Sequence, residues 1–378
     1  MGGCGIKLRC RPGLEDHQPF FHPFPVLITM HLNLWKLALL GLATFSVAHP
    51  GVHEESSLTP TAKKTFLHNA KRSLGQCADH LERRGITSRS AARRAAITET
   101  YRKRSSLLNT RDTARVVNTS HHSPLQVTPA TPETELFAQN PVCILSPEGE
   151  IGPFWVKGEL VRSDIRDNQP GIPVIMDGQF VDVETCEPIR DLYWDVWSCN
   201  ATGVYSGVQS SMNGNGGDAT NLDKKFLRGI QQTDAEGVAQ FKSIFPGHYD
   251  GRATHVHVVA HVGASVLPNN TLSGGHVAHI GQLFFDQDLI SKVEDTYPYN
   301  TNDIAITQNA DDHVVKDETE DSNSDPFFEY TLLGDKLEDG ILAWVTMGVN
   351  VSASYDADYA ASLTRGGGVM SEDSGEGM

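Results

Sequence analysis

The chain has 378 residues, enough for one large domain with extensions or two small domains, and its 39% hydrophobic and 21% charged content is that of a globular protein. Its net charge of −16 argues against general nucleic-acid binding. That charge is uneven: residues 63–115 hold 14 of the 31 Lys and Arg against four acids (Asp79, Glu82, Glu99, Asp112), so the remainder is strongly acidic.

The long apolar run, Leu34–Ala48, is too short for a membrane span. With Lys36 near its start and Ser46-Val47-Ala48 at its end it reads as a secretory signal, and Met30 just before it makes residues 1–29 an upstream extension. Residues 1–48 are thus expected to be extension and signal, and the mature protein extracellular and without a membrane segment. Sequons at Asn118, Asn200, Asn269 and Asn350 agree with secretion and predict a glycoprotein. Removing Cys4 and Cys10 leaves Cys77, Cys143, Cys186 and Cys199, an even set for an oxidising compartment. Three pairings are open. Cys186–Cys199 would join neighbouring strands across a turn and leave Cys77–Cys143.

Residues 49–115 read as a helical arm or a pro-segment. Phe66, Ala70, Leu74, Cys77 and Leu81 form one helical stripe over 61–84, and Gly85 is a natural stop. Ser88–Leu108 reads as a second, more basic helix. The arm would cover the following domain or a partner subunit, which makes a homodimer through it an expectation. Its dibasic pairs, among them Lys71-Arg72 and Arg83-Arg84, also permit removal, but a retained arm is the favoured reading. Residues 116–136 form a polar linker.

From about Phe137 short β-like runs alternate with Gly, Pro, Asn and Asp. Strands are expected over Ile151–Val161, Pro173–Val183, Asp191–Ser198, Val204–Val208, Phe226–Thr233, Val238–Ser243, Thr254–Val262, His279–Phe285 and Ile341–Val351. The spacing predicts a mainly β domain over 137–351, a β-sandwich of antiparallel or mixed sheets with the helical arm at its N-terminus. Gln209–Lys225, a polar Gly-containing loop, is expected to rim the active site. Residues 352–378, Gly-rich and acidic, read as a disordered tail. No Gly-rich phosphate loop and no Gly-x-Ser-x-Gly elbow occurs.

The informative stretch is Phe245-Pro246-Gly247-His248-Tyr249-Asp250-Gly251-Arg252-Ala253-Thr254-His255-Val256-His257-Val258-Val259. On a strand, period two puts His255 and His257 on one face and Val256 and Val258 on the other. Two imidazoles so placed can share one metal ion, or simply form a polar face. Tyr249, delivered after the Pro-Gly turn, adds a phenol, and Arg252 a fixed positive charge. Two neutral nitrogens and a phenol oxygen suit a hard, oxidised ion such as Fe(III), whereas Zn(II) or Cu(I) more often calls on thiolates. A cupin dioxygenase would want a glutamate shortly after His-x-His, and Val258–Gly263 supplies none.

A second stretch runs Trp197-x-x-Asn200-x-x-Gly203-x-Tyr205-Ser206, followed by Phe226-Leu227-Arg228-Gly229 and Thr233-Asp234-x-x-Gly237. Taken in order with the first, and with the entrance Gly152-Pro153, it closely resembles the intradiol ring-cleavage dioxygenases, in particular their secreted fungal branch, over about Cys143–Asp286. The resemblance implies that Tyr205, Tyr249, His255 and His257 ligate a non-haem Fe(III), and that Arg252 and Gln282 lie beside the substrate. It implies a catecholic substrate and O2 as small-molecule partners, with ring opening between the two hydroxylated carbons. The family often has two tyrosines where this chain has Phe154 and Trp155, and Trp-His where it has Trp197-Ser198. Both departures bear on substrate preference. A secreted β-sandwich that binds a metal or ligand without catalysis is the alternative from a different class.

Overall fold

A computed structural model describes residues 77–101, 120–121, 151–214, 217–319 and 325–371 of the chain. All belong to one contiguous unit, residues 48–378. The expected signal, Cys143, most of the expected linker and most of the first predicted helix lie outside the described residues.

Two four-stranded sheets face each other. The first is mixed, in the order β10 (Glu329–Leu332), β11 (Ile341–Val349), β2 (Pro173–Asp182), β5 (Val238–Ile244), with β11 parallel to β2 and the other pairs antiparallel. The second is antiparallel: β4 (Arg228–Gln232), β3 (Tyr193–Trp197), β6 (His255–Val262), β9 (His276–Phe284). Alternation puts Val174, Met176 and Phe180 of β2 and Trp194, Val196, Val256 and Val258 of β3 and β6 into one shared core. Trp194 is wedged edge-on between Phe180 and Phe241, at 5.5 and 5.2 Å. It presses so closely on Gly178 that a Cβ there would sit 2.6 Å from the indole. This is the expected sandwich.

Both sheets are also covered on their outer faces. Over the first lies the arm. Residues 77–83 are helical, the chain turns at Gly85 with φ +66°, and α1 (Ile86–Tyr101) follows. Asp177, facing outward from β2, accepts two hydrogen bonds of 2.9 Å from Arg93 and one of 3.0 Å from Arg94. Ser90 donates to Gln179 at 2.7 Å, and Ile97 packs on Ile175, Leu342 and Trp344. The arm therefore packs on its own chain.

Over the second sheet lies a layer of loops containing Ile151, Phe154, Val156, Tyr205, Val208, Tyr249, Ala360 and Ala361. Its far part departs from expectation. The segment read as a disordered tail carries a hairpin, β12 (Ala361–Thr364) and β13 (Gly367–Met370), within the described residues. Strand β12 runs parallel to β1 (Val156–Lys157), and Gly368 N–H donates to Asp223 Oδ1 at 2.9 Å. A short hairpin of β7 (Ser265–Val266) and β8 (Leu272–Ser273) completes the strands, and α2 (Gln287–Glu294) and α3 (His313–Thr319) the longer helices, among the described residues.

Three further expectations are corrected. Ile151–Val161 contributes only β1 and a bridge at Val161, because its residues run as cover across the sheet. Val204–Val208 forms no strand, its backbone being bonded by side chains from the following loop. The disulfide joins Cys77 to Cys186, so neither half of the pairing that kept Cys186 with Cys199 forms. It staples the arm to the loop after β2, while Cys199 is a buried free thiol 3.3 Å from the Gly247 carbonyl. Burial pushes its thiol well above the ordinary range, and the hydrogen bond to that carbonyl only partly opposes this.

Candidate metal centre

The centre lies between the second sheet and its loop layer. Strand β6 carries Val256 and Val258 into the sandwich core, which turns His255 and His257 to the opposite face. Their Nε2 atoms meet 3.0 Å apart. His255 Nδ1 lies 2.6 Å from the Ala253 carbonyl. A carbonyl only accepts, so Nδ1 carries the proton and Nε2 presents its lone pair to the centre. His257 is fixed by stacking on Trp197, its cross-strand neighbour, and by Gly152, where a Cβ would come within 2.7 Å of His257 Cε1.

Tyr205 approaches from the loop layer. Asn200 Oδ1 accepts the N–H groups of Thr202 and Val204 to shape the turn, and Gly203 has φ +79°. The Tyr205 N–H then donates to Asn213 at 2.9 Å, while Asn213 and Asn221 donate to its carbonyl at 2.8 and 2.7 Å. The loop expected to rim the site thus holds Tyr205 by its backbone. Its hydroxyl lies 3.5 Å from His255 Nε2. Tyr249 enters after Gly247, where any side chain would strike the Asn200 carbonyl at 2.4 Å, and its ring stands edge-on to Tyr205 at 5.3 Å. Phe154 lies against both tyrosine rings, at 4.9 and 6.1 Å, so the replaced entrance tyrosine is an apolar wall of the centre.

Arg252 completes the group. Nη1 donates to the Tyr249 hydroxyl at 3.4 Å, Nη2 to Gln282 Oε1 at 2.5 Å and Nε to Asp312 Oδ2 at 2.9 Å. Gln282 reaches it because β9 pairs it directly with His257. All six residues singled out in the sequence are brought together, each at most 3% exposed.

The donor set fits a trivalent iron. Two imidazole nitrogens 3.0 Å apart are spaced as adjacent donors about one ion with bonds of about 2 Å. Burial, then the neighbouring Tyr249, pushes the Tyr205 phenol well above its ordinary range, and the charges of Arg252 and Arg228 only partly oppose this. Such a phenol ionises for a strongly charged cation rather than for solvent. Among the described residues no three His, Cys, Asp or Glu side chains gather as a metal site, so any centre here depends on the phenols.

Sequence reasoning missed two buried groups. Asp312 holds Arg252, and no pattern marks it in a stretch of several acids. Behind Tyr205, Arg228 donates to Glu159 at 3.0 Å and to the Ser206 carbonyl at 2.8 Å. Burial and the adjacent Asp195 raise the Glu159 carboxyl well above its usual range, and burial brings Asp195 to about 6. The Phe-Leu-Arg-Gly motif had signalled Arg228 without showing its purpose.

Residues 152–330 match the dioxygenase family model Dioxygenase_C. The family model and the solved structures similar to this chain are those of intradiol ring-cleavage dioxygenases. Among solved structures, an intradiol ring-cleavage dioxygenase from Tetranychus urticae is similar to this chain at 27% identity. That match covers 57% of this chain and 98% of the mite chain, with a TM-score of 0.46. Catechol 1,2-dioxygenase from Pseudomonas arvilla C-1 is 17% identical over 54% of this chain and 62% of its own length, with a TM-score of 0.34. Hydroxyquinol 1,2-dioxygenase from Pseudomonas putida DLL-E4 is 17% identical over 53% and 64%, with a TM-score of 0.32. No curated protein matches this chain.

Proposed function

We propose that this protein is a secreted non-haem Fe(III) dioxygenase of the fungal branch that opens the ring of a catechol between its two hydroxylated carbons. The observation that carries the reading is the convergence of the His255 and His257 Nε2 atoms and the Tyr205 hydroxyl beside the Tyr249–Arg252–Gln282 group. Tyr205, Tyr249, His255 and His257 are the residues that would hold the iron, which supplies Lewis-acid polarisation and a template for the substrate oxygens.

The protein's own part follows from its geometry. Tyr249 Oη, within reach of Arg252 Nη1, is the acceptor for a catechol hydroxyl proton. Arg252, buried and permanently charged, stabilises negative charge as it develops on the ring. Gln282 holds the Nη2 edge of that guanidinium. Phe154 keeps water from the tyrosine rings. One catechol and one O2 combine to a cis,cis-muconic-acid-type diacid with no reductant. The Cys77–Cys186 bond and the apolar run Leu34–Ala48 support an oxidising, extracellular destination.

The test is oxygen uptake by iron-loaded full-length protein across catechol, hydroxyquinol and protocatechuate, with product identification under 18O2. A diacid carrying two labelled oxygens is expected. A semialdehyde from cleavage outside the diol, or iron binding with no uptake on any catechol, would overturn the reading, the latter in favour of a binding module.

A further inference from the structure

Asp312 is a buried charge that the reaction as described leaves unused. It stands immediately before α3 and is fully buried. Its Oδ2 accepts from Arg252 Nε at 2.9 Å and from the Ala253 N–H at 2.8 Å. Its Oδ1 accepts from the Val315 N–H at 3.0 Å and from Arg252 Nη2 at 3.4 Å.

A guanidinium is a rigid plane with donors on fixed edges. Asp312 takes the Nε edge, Gln282 takes Nη2 and Tyr249 lies off Nη1, so the plane has little freedom left. The grip extends one peptide further. Ala253 donates its N–H to Asp312 and accepts from His255 Nδ1 with its carbonyl, linking the carboxylate to the orientation of one imidazole. Any buried acid would balance the charge of Arg252. Only a carboxylate anchored to α3 through Val315 sets the direction of the plane.

We propose that Asp312 is a positioning residue for ring cleavage: by holding the Nε edge of Arg252 it aims Nη1 at the Tyr249 oxygen. The inference rests on the proposed dioxygenase function and names the residue that orients its charged group.

A double-mutant cycle on iron-loaded full-length protein tests it, with Asp312→Asn, Arg252→Gln and the pair. Iron content, thermal midpoint, anaerobic catechol affinity from the visible spectrum, and kcat and KM for oxygen uptake are measured on each. Asp312→Asn is expected to keep its iron and lower kcat about 10- to 100-fold, the usual effect of removing an outer-shell partner. In the Arg252→Gln background the same substitution is expected to change kcat by less than about twofold. With Arg252 in place, Asp312→Glu is expected to keep part of the rate that Asp312→Asn loses. Equal loss in both backgrounds, or no loss in wild type, overturns the proposal. Should Asp312→Asn not fold, Asp312→Glu takes its place in the cycle with the same criteria. A wild type inert towards every catechol overturns the function and this inference together, which is distinct from an additive cycle in an active enzyme.

Discussion

Trp197 lies flat on His257, the ring centroids 4.7 Å apart and the planes 3° from parallel, while Gly152 closes on the imidazole from the entrance segment. The ring is therefore held by packing from two elements distant in sequence. Gly152 also has φ +72°, a conformation that a side chain resists.

Gly152→Ala is accordingly expected to displace His257 and weaken iron retention by about 10- to 100-fold, with the sandwich intact. Iron titration followed by metal analysis, alongside far-ultraviolet circular dichroism, checks this. Wild-type affinity in the variant would show that the imidazole has room to spare.

Purified iron-loaded protein is expected to be red-brown, with about one iron per chain. Tyr205→Phe removes a phenol whose oxygen lies 3.5 Å from His255 Nε2 and should lose much of the visible absorption and some iron. His257→Ala should lose both. Full iron content with an unchanged spectrum in both variants would take these residues out of the centre.

Arg252 has no lone pair to offer a metal. Arg252→Ala should keep iron and much of the colour yet lose turnover by about a hundred- to a thousandfold. Arg252→Lys should recover only part, because an ammonium cannot occupy the Asp312, Gln282 and Tyr249 directions at once. Turnover, iron and the catechol-induced spectral shift belong in one set of preparations. Near-normal turnover in Arg252→Ala would remove it from the reaction.

Acid should loosen the arm. Burial alone would raise the Asp177 carboxyl, but the hydrogen bonds and charges of Arg93 and Arg94 bring it from 3.8 down to about 2. A depressed carboxylate stabilises the fold above its unfolded value and loses that contribution as pH falls through its folded value. The contribution is about 2 kcal/mol, lost between about pH 4 and pH 2. In chemical denaturation the deficit of Asp177→Asn relative to wild type should shrink over that window. A deficit constant down to pH 2 would contradict the pairing.

Non-reducing peptide mapping should join Cys77 to Cys186, and Cys199 should react with alkylating reagent only after unfolding. Cys77→Ser is expected to cost about 2–5 kcal/mol. A Cys186–Cys199 peptide would contradict the Cys77–Cys186 bond.

The centre was more legible in the sequence than the cover around it. His-Val-His-Val shows its two faces by alternation, and the turns before Tyr205 and Tyr249 are marked by glycines whose crowding the fold confirms. Asp312 and the pair Asn213 and Asn221 act through tertiary contacts across long loops, and a lone Asp or Asn carries no period. The cysteine pairing depends on where the arm lands, which the four spacings leave open. The hairpin near the C-terminus was hidden by its glycines. It forms because Val156-Lys157 and Asp223 supply the partners, while Gly367 and Gly368 allow the close approach to Asp223 and Leu222.

The place of β11 constrains how the molecule is made. It lies inside its sheet, between β10 and β2, yet it begins only at Ile341, long after β2 ends at Asp182. Until then the long, buried β2 has an open edge, the kind of surface that pairs with a neighbouring chain. Completion of the first sheet therefore awaits synthesis through Val349, and nascent chains that stall before residue 341 are expected to depend on chaperones to stay soluble.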